Sequence, residues 1–461
     1  MLTYDLSKFE GPLYQRIYEA VKRDIHEGKL TSGTKLPSKR ALARNLGVSA
    51  ITVENAHDQL IAEGYLVARP RRGYFVAEVE VAKRPARTIE RELRIEKPRR
   101  DWAFDFSSNK TESANFPFSV WAKCLRDAMT RRKNDLLETS PCAGVLELRE
   151  AIARHLASFR GMAIDPDQIV VGPGAEYLYG LLVRTMGRDK IFCVENPGYK
   201  KLRKIYESFG VDCRLARVDD RGIIPEELRE SGADVAHISP TRHFPTGTTT
   251  PVSRRFEILA WATETEGRYV IEDDYDSEFR MKGRPLPSMQ SLDPDRVVYV
   301  NTFSKSLAST IRIGYAVLPP ELIERYYKRL SFYSCAVSTF EQYALAAFIG
   351  RGYFEKHINR LRLHYSRKRA RVLETVRGIL PETNCRPIER DSGLAFILKL
   401  STERSESEIK EELASQGIRI ETISDYDAGD SGEYRNQFLL NYSNLDETRL
   451  EGALRALREA L

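Results

Sequence analysis

With 461 residues and 42% hydrophobic content, the chain is long enough for two or three domains and a large packed core. Six scattered cysteines without a CxxC pair, seven histidines without metal-ligand spacing and the lack of a membrane-length apolar run argue against disulfide-scaffold, metal and membrane proteins. The formal charge of +6 sits wholly in the first 101 residues: residues 1–77 carry 12 Lys/Arg against 8 Asp/Glu and residues 78–101 carry 8 against 6, which reads as a polyanion-binding module on a neutral body.

Leu13, Ile17, Val21 and Ile25 recur every four residues and predict a helix ending near Gly28. Ser38 caps a short second helix that Gly47 ends, and Ser49 caps a third running to about Glu63, with Val53, Ala56 and Leu60 turned inward. Helix, glycine turn, helix is the helix-turn-helix pattern. Tyr65-Leu-Val-Ala and Gly73-Tyr-Phe-Val then predict a hairpin whose tip, Arg69-Pro-Arg-Arg, offers three arginines to phosphates. The plainer reading is a basic helical appendage for protein contacts. From Glu78 to Arg100 half the residues are charged, with Pro85 and Pro98 as breakers, which fits a solvated linker or an ordered basic arm.

From Phe104 onward apolar strands alternate with helical patterns, the signature of an α/β fold with a mostly parallel sheet. Ile169-Val-Val-Gly-Pro-Gly-Ala reads as strand, glycine turn and helix start, a place where backbone N–H groups face an anion. Ile191-Phe-Cys-Val leads to Tyr199 beyond a strand end. Tyr269-Val-Ile-Glu ends at Asp273, where open α/β sheets place ligands. A carboxylate there can keep a pyridine nitrogen protonated, and Tyr275 can donate to a phenolic oxygen. Clustered carboxylates could instead hold a metal, although no histidine supports it. Val298-Tyr-Val-Asn-Thr-Phe-Ser-Lys305 closes with Arg312, about two turns on if the segment is helical. A desolvated lysine there can form a Schiff base and an arginine can clamp a phosphate, which points to pyridoxal 5'-phosphate. Two solvated cations beside an ordinary strand end are the alternative.

The N-terminal fifth resembles the winged helix-turn-helix of GntR-type regulators, through Pro12-Leu-Tyr, Leu36-Pro-Ser-x-Arg, Leu46-Gly-Val-Ser, Thr52-Val and Gly73-Tyr-Phe-Val. The resemblance implies DNA contacts by Ser38, Arg40, Ser49, Thr52, Arg71 and Gly73. Ala50 departs from it, standing where the family usually has arginine. Residues 104–461 resemble fold-type I, class I aminotransferases, with a mostly parallel sheet and a smaller C-terminal subdomain. Together the two parts resemble MocR/GabR-type regulators: head 1–77, charged linker 78–101, effector body 102–461.

This resemblance implies Lys305 as Schiff-base lysine, Arg312 and Gly174-Ala175-Glu176 at the cofactor phosphate, Asp273 at the ring nitrogen, Tyr275 at the ring hydroxyl and Tyr199 stacked on the ring. It also implies a homodimer on a double-stranded DNA operator, with an amine or amino-acid effector exchanging at Lys305, while the scattered cysteines suggest reduced thiols and a cytoplasmic place. Three departures weigh against transamination. Phe244-Pro-Thr-Gly, beside His243, replaces Asn-Pro-Thr-Gly; Thr139 aligns with the partner-supplied phosphate tyrosine; Leu439 replaces the arginine that clamps a substrate carboxylate. Arg419 and Arg435 are candidate substitutes for that clamp. A regulator with weak or absent transaminase activity is therefore expected. The rivals are a working aminotransferase with an appended head and a repressor whose body only dimerises.

Overall fold

Ile17, Val21 and Ile25 form the buried stripe of the first helix, α1 (Leu13–His26). The structure, a computed structural model, describes residues 3–78, 102–108, 110–280, 286–390, 393–429 and 432–461. Leu13 stays 48% exposed, so the apolar stripe begins one turn later than the fourfold spacing implies. Helix α2 (Lys39–Leu46) starts where Ser38 accepts from the Ala41 N–H at 3.2 Å and stops at Gly47, whose φ of 67° is left-handed. Helix α3 (Ala50–Ala62) is capped by Ser49, which accepts from the Thr52 N–H at 3.1 Å. A hairpin of β1 (Leu66–Arg69) and β2 (Gly73–Val76) follows, with Leu66 opposite Val76 and Arg69 opposite Gly73. Val53, Ala56, Leu60, Leu66 and Val76 join the α1 stripe in one core.

The chain divides into two units, Met1–Pro98 and Arg99–Leu461. Of the expected linker 78–101, all but Glu78 lies outside the described residues. In the second unit an eight-stranded sheet runs in the order Ile169–Gly172, Gly314–Val317, Val297–Thr302, Tyr269–Asp273, Val235–Ile238, Phe192–Asn196, Cys213–Asp219, Gly222–Ile223. The five strands from Val297–Thr302 to Cys213–Asp219 are mutually parallel, and Gly314–Val317 is antiparallel to both its neighbours. Both faces are covered: Val298 and Val300 pack with Leu178, Leu182 and Ile271, while Tyr299 between them packs with Ile152 and Phe303 on the other side. Each fully buried valine contributes about 1.5–3 kcal/mol by leaving water.

The parallel strands end together, so Asn196, Asp273 and Thr302 stand at one rim. The stretch between Lys305 and Arg312 is a chain of turns and not a helix. It carries the chain round into the antiparallel strand Gly314–Val317, which leaves no room for two helical turns. A four-stranded antiparallel sheet forms the smaller subdomain, in the order Cys385–Ile388, Ala395–Leu400, Gln437–Asn441, Glu421–Thr422. Among the described residues no helix is long and apolar enough to cross a membrane.

Candidate functional site

A cavity of about 190 Å³ opens at the strand rim, with Tyr179, Glu195, Tyr199, His237, Asp273 and Tyr275 in its walls. Asp273 Oδ2 accepts from the Tyr179 hydroxyl at 2.5 Å and lies 3.4 Å from His237 Nε2. His237 Nδ1 is in turn 2.6 Å from the Tyr206 hydroxyl. Those contacts use one carboxylate oxygen and leave Asp273 Oδ1 buried with no hydrogen-bond partner among the described residues. The Tyr275 hydroxyl is orphaned in the same way. Burial, then the Asp276 charge, drives the Tyr275 pKa far up, so its phenol remains a donor. Two buried polar atoms without partners, on one cavity, call for a ligand that supplies them.

Tyr199, 47% exposed, sets its ring edge-on to Phe244 at 6.3 Å. A second, smaller cavity adjoins Tyr275 and Phe244 and is walled by Lys305, Arg242, Asp276 and Asn441. Burial pulls the Lys305 pKa down to about 8; Asp276 opposes that fall and Arg242 adds to it. An amine so poised is a nucleophile near neutral pH.

The anion end is built from backbone. Helix Ala175–Met186 begins after Gly174, whose φ is 90°. A Cβ there would stand 3.0 Å from the Arg312 guanidinium carbon, and the φ of 90° itself favours glycine, so glycine lets that cation lie close over the helix start. Arg312 itself holds a left-handed φ of 52°, and its Nη2 is 3.9 Å from the Glu176 carboxylate, which Lys201 also pairs. The first-turn N–H groups, Ala175 and Glu176 included, have no intrahelical acceptors. An acid for a ring nitrogen, a phenol for a ring hydroxyl, a depressed lysine and a cationic helix start form a donor set that fits pyridoxal phosphate.

The acidic run separates in space. Glu272 accepts from the Gln290 N–H at 3.0 Å, Asp274 takes Arg160 at 2.7 Å and the Tyr299 hydroxyl at 2.6 Å, and Asp276 takes Arg242 at 2.6 Å. Only Asp273 turns a free oxygen to the larger cavity. Sequence reasoning missed Tyr179, His237, Glu195 and Arg242. A signal existed for two of them: Tyr179 follows Ala175 by one helical turn, and His237 interrupts the apolar strand Val235–Ile238. Burial pushes Glu195 up to about 8 and His243 down to about 4, so these neighbours, 3.8 Å apart, are both uncharged near neutral pH. Leu439 is buried opposite Ile397. Arg419 is taken by Glu421 and Asp105, and neither it nor Arg435 lines the two cavities. Thr139 is exposed.

In the head, Ser38 and Ser49 spend their hydroxyls on helix caps, and Ser49 Oγ also lies 2.7 Å from Thr52 Oγ1. Arg40, Arg71 and Gly73 are exposed, with Arg71 left-handed at φ 60° and Gly73 at 102°. The first turn of α3 exposes Ala50 and Ile51 (69%), with Asn55 exposed one turn on, so Ile51 and Asn55 join the surface that a groove would meet.

The sequence matches the description "Bacterial regulatory proteins, gntR family" over residues 13–76 and "Aminotransferase class I and II" over residues 103–457. It is 38% identical to the Bacillus subtilis HTH-type transcriptional regulator YdeL, described as uncharacterized, over 90% of this chain and 89% of that one. It is 31% identical to the HTH-type pyridoxine biosynthesis transcriptional regulator PdxR of Corynebacterium glutamicum, over 97% and 95%. The chain belongs to the MocR-type regulators. This MocR-type chain joins a gntR-family head to an aminotransferase-like body, and it is a transcriptional regulator. Its body superposes on the Pyrococcus horikoshii kynurenine aminotransferase solved with PMP at a TM-score of 0.68, 25% identity, covering 78% of this chain and 91% of that one.

Proposed function

We propose that this MocR-type regulator binds pyridoxal phosphate in its body (102–461), senses an amine or amino-acid metabolite at Lys305, and alters the hold of its head (1–77) on a DNA operator as a homodimer. The observation that carries the reading is the meeting, on adjoining cavities, of orphaned Asp273 Oδ1, the orphaned Tyr275 hydroxyl and a Lys305 amine depressed to about 8. When bound, the cofactor supplies an aldehyde carbon that condenses with amines and a ring that withdraws electrons.

The chain's own residues do the rest. Tyr179 and His237 fix Asp273 so that Oδ1 faces the ring nitrogen. Tyr275 keeps its proton and donates toward the ring hydroxyl. Arg312 and the Gly174-Ala175-Glu176 helix start hold the phosphate dianion. Lys305 gives up its proton easily, so it serves as attachment point and as the amine that an effector replaces. Phe244 stands where an amide would bond the ring hydroxyl and Leu439 where an arginine would clamp a substrate carboxylate, and both losses favour sensing over transamination.

Lys305→Ala tests the reading. After borohydride reduction the wild-type chain is expected to carry a covalent cofactor adduct, and the variant none, with DNA affinity retained. A reducible adduct persisting in the variant means another lysine serves.

A further inference from the structure

We infer that the ligand of this body is a primary amine with no carboxylate on its amine-bearing carbon. The inference rests on the sensing role proposed for Lys305. An α-amino acid brings a carboxylate to that carbon, and a buried carboxylate is held best by a cation with matching donors. In the cavity that Lys305 enters, the described lining residues include one other cation, Arg242.

Arg242 is not available to a ligand. Its Nη1 lies 2.6 Å from Asp276 Oδ2, and its Nη2 donates to the Ala395 carbonyl at 3.2 Å. Gly393 locks it in place: a Cβ there would be 2.0 Å from the guanidinium carbon, so the plane lies directly against the Gly393 backbone. Both members of the pair are buried, Arg242 at 7% and Asp276 at 4% exposure. A carboxylate entering here would have to displace Asp276 from Arg242 or remain dry and unpaired, and each outcome is unfavourable.

Of the other polar groups on the described walls, the Tyr275 hydroxyl belongs to the cofactor in the reading above, and Asn441 carries no charge. Leu439 is buried, and Phe244 sits edge-on to Tyr199 at 6.3 Å and to Tyr426 at 4.9 Å, both apolar where a carboxylate needs donors.

The test titrates the full-length chain, loaded with pyridoxal phosphate, with matched pairs: phenethylamine and phenylalanine, tyramine and tyrosine, isobutylamine and valine. The readout is the absorbance of the bound cofactor. Each responding amine is expected to reach half-saturation at a concentration at least about tenfold below its amino acid, a difference typical of one unpaired buried charge. Asp276→Asn frees the Arg242 charge while keeping a hydrogen bond, and is expected to shrink that ratio several-fold. If this variant does not fold, the wild-type ratio decides. An amino acid that saturates at or below the concentration of its amine, or a ratio unmoved in a folded Asp276→Asn chain, overturns this inference and leaves the sensing role standing. No response to any amine or amino acid, by a chain that holds the cofactor, overturns both.

Discussion

His57 on α3 has no exposed surface, lies 4.7 Å from the Tyr74 ring centroid, and has both ring nitrogens without a partner among the described residues. Burial first, and the Lys39 charge second, push its pKa down to about 4. In an unfolded chain the ring titrates near ~6.5. Between those values the unfolded head binds a proton that the folded head refuses, so stability rises with pH there. The contribution is complete above about 6.5 and fades toward about 4, up to roughly 3 kcal/mol across the window. Hydrogen exchange of the α3 amides in the full-length chain, corrected for intrinsic rates, is expected to show weaker protection at pH 5 than at pH 7. His57→Phe keeps the ring and removes the titration, so most of that difference is expected to vanish; an equal difference in both chains places the effect elsewhere. The contrast with Lys305 shows what one residue's surroundings reveal in sequence. Lys305 follows an apolar strand and a Ser/Thr turn, a context that admits a buried, aimed amine beside the plainer reading of a solvated cation, and the family motifs around it tip the choice. His57 stands between Ala56 and Asp58 in a helix, and only the wing folding back as Tyr74 makes it a core residue.

The wing is the element whose purpose is most open to direct measurement. Arg69 lies over the Phe75 ring at 4.9 Å, which ties it to the hairpin, while Arg71 and Arg72 stand exposed at the tip. Arg71 keeps a left-handed φ of 60° as the residue after Pro70 in a turn closed by the Arg72 N–H donating to the Arg69 carbonyl at 3.0 Å, which leaves both guanidinium groups at the tip for phosphates. Changing Arg71 and Arg72 to Ala is expected to weaken binding to every DNA sequence and to flatten the log affinity–log salt slope by about 1.8, two contacts at about 0.9 each. The bound cofactor's spectrum stays as it was. The same slope in wild type and variant would remove the wing from the interface. Elements of this kind were legible because their signals are local: Ser38, Gly47, Ser49 and the Arg-rich turn each specify a cap or a hairpin within a few residues. The passage from Phe303 to Ile313 was not, since its turns depend on an antiparallel strand slotting back between two others. Tyr179 and His237 escaped for the same reason. Their common partner, Asp273, lies 94 and 36 residues away in sequence.

At the scale of the whole molecule, sensing and DNA binding have to be one equilibrium. An amine at Lys305 changes the head's grip only if it binds the DNA-competent and DNA-incompetent arrangements with different affinity. If it changes operator affinity by some factor, operator must change amine affinity by that same factor. The prediction is a paired titration on one sample of full-length chain, following cofactor absorbance and operator binding together. The two midpoints are expected to coincide, and the coupling factor read from DNA affinity with and without amine to equal the one read from amine affinity with and without DNA. Carbonyl product, aldehyde or keto acid, should stay below one equivalent per chain while this happens. Turnover requires the amine-bearing carbon to be held with its C–H bond aligned to the ring, and a small misplacement costs orders of magnitude. Leu439 and Phe244 supply no polar contact for that alignment, and Arg242, the cation beside Lys305, already belongs to Asp276. Rapid multiple turnover would make this chain a working aminotransferase with a DNA-binding head. A complete spectral change with operator affinity unmoved would leave the cofactor site real but the two units uncoupled, and the sensing role would fall.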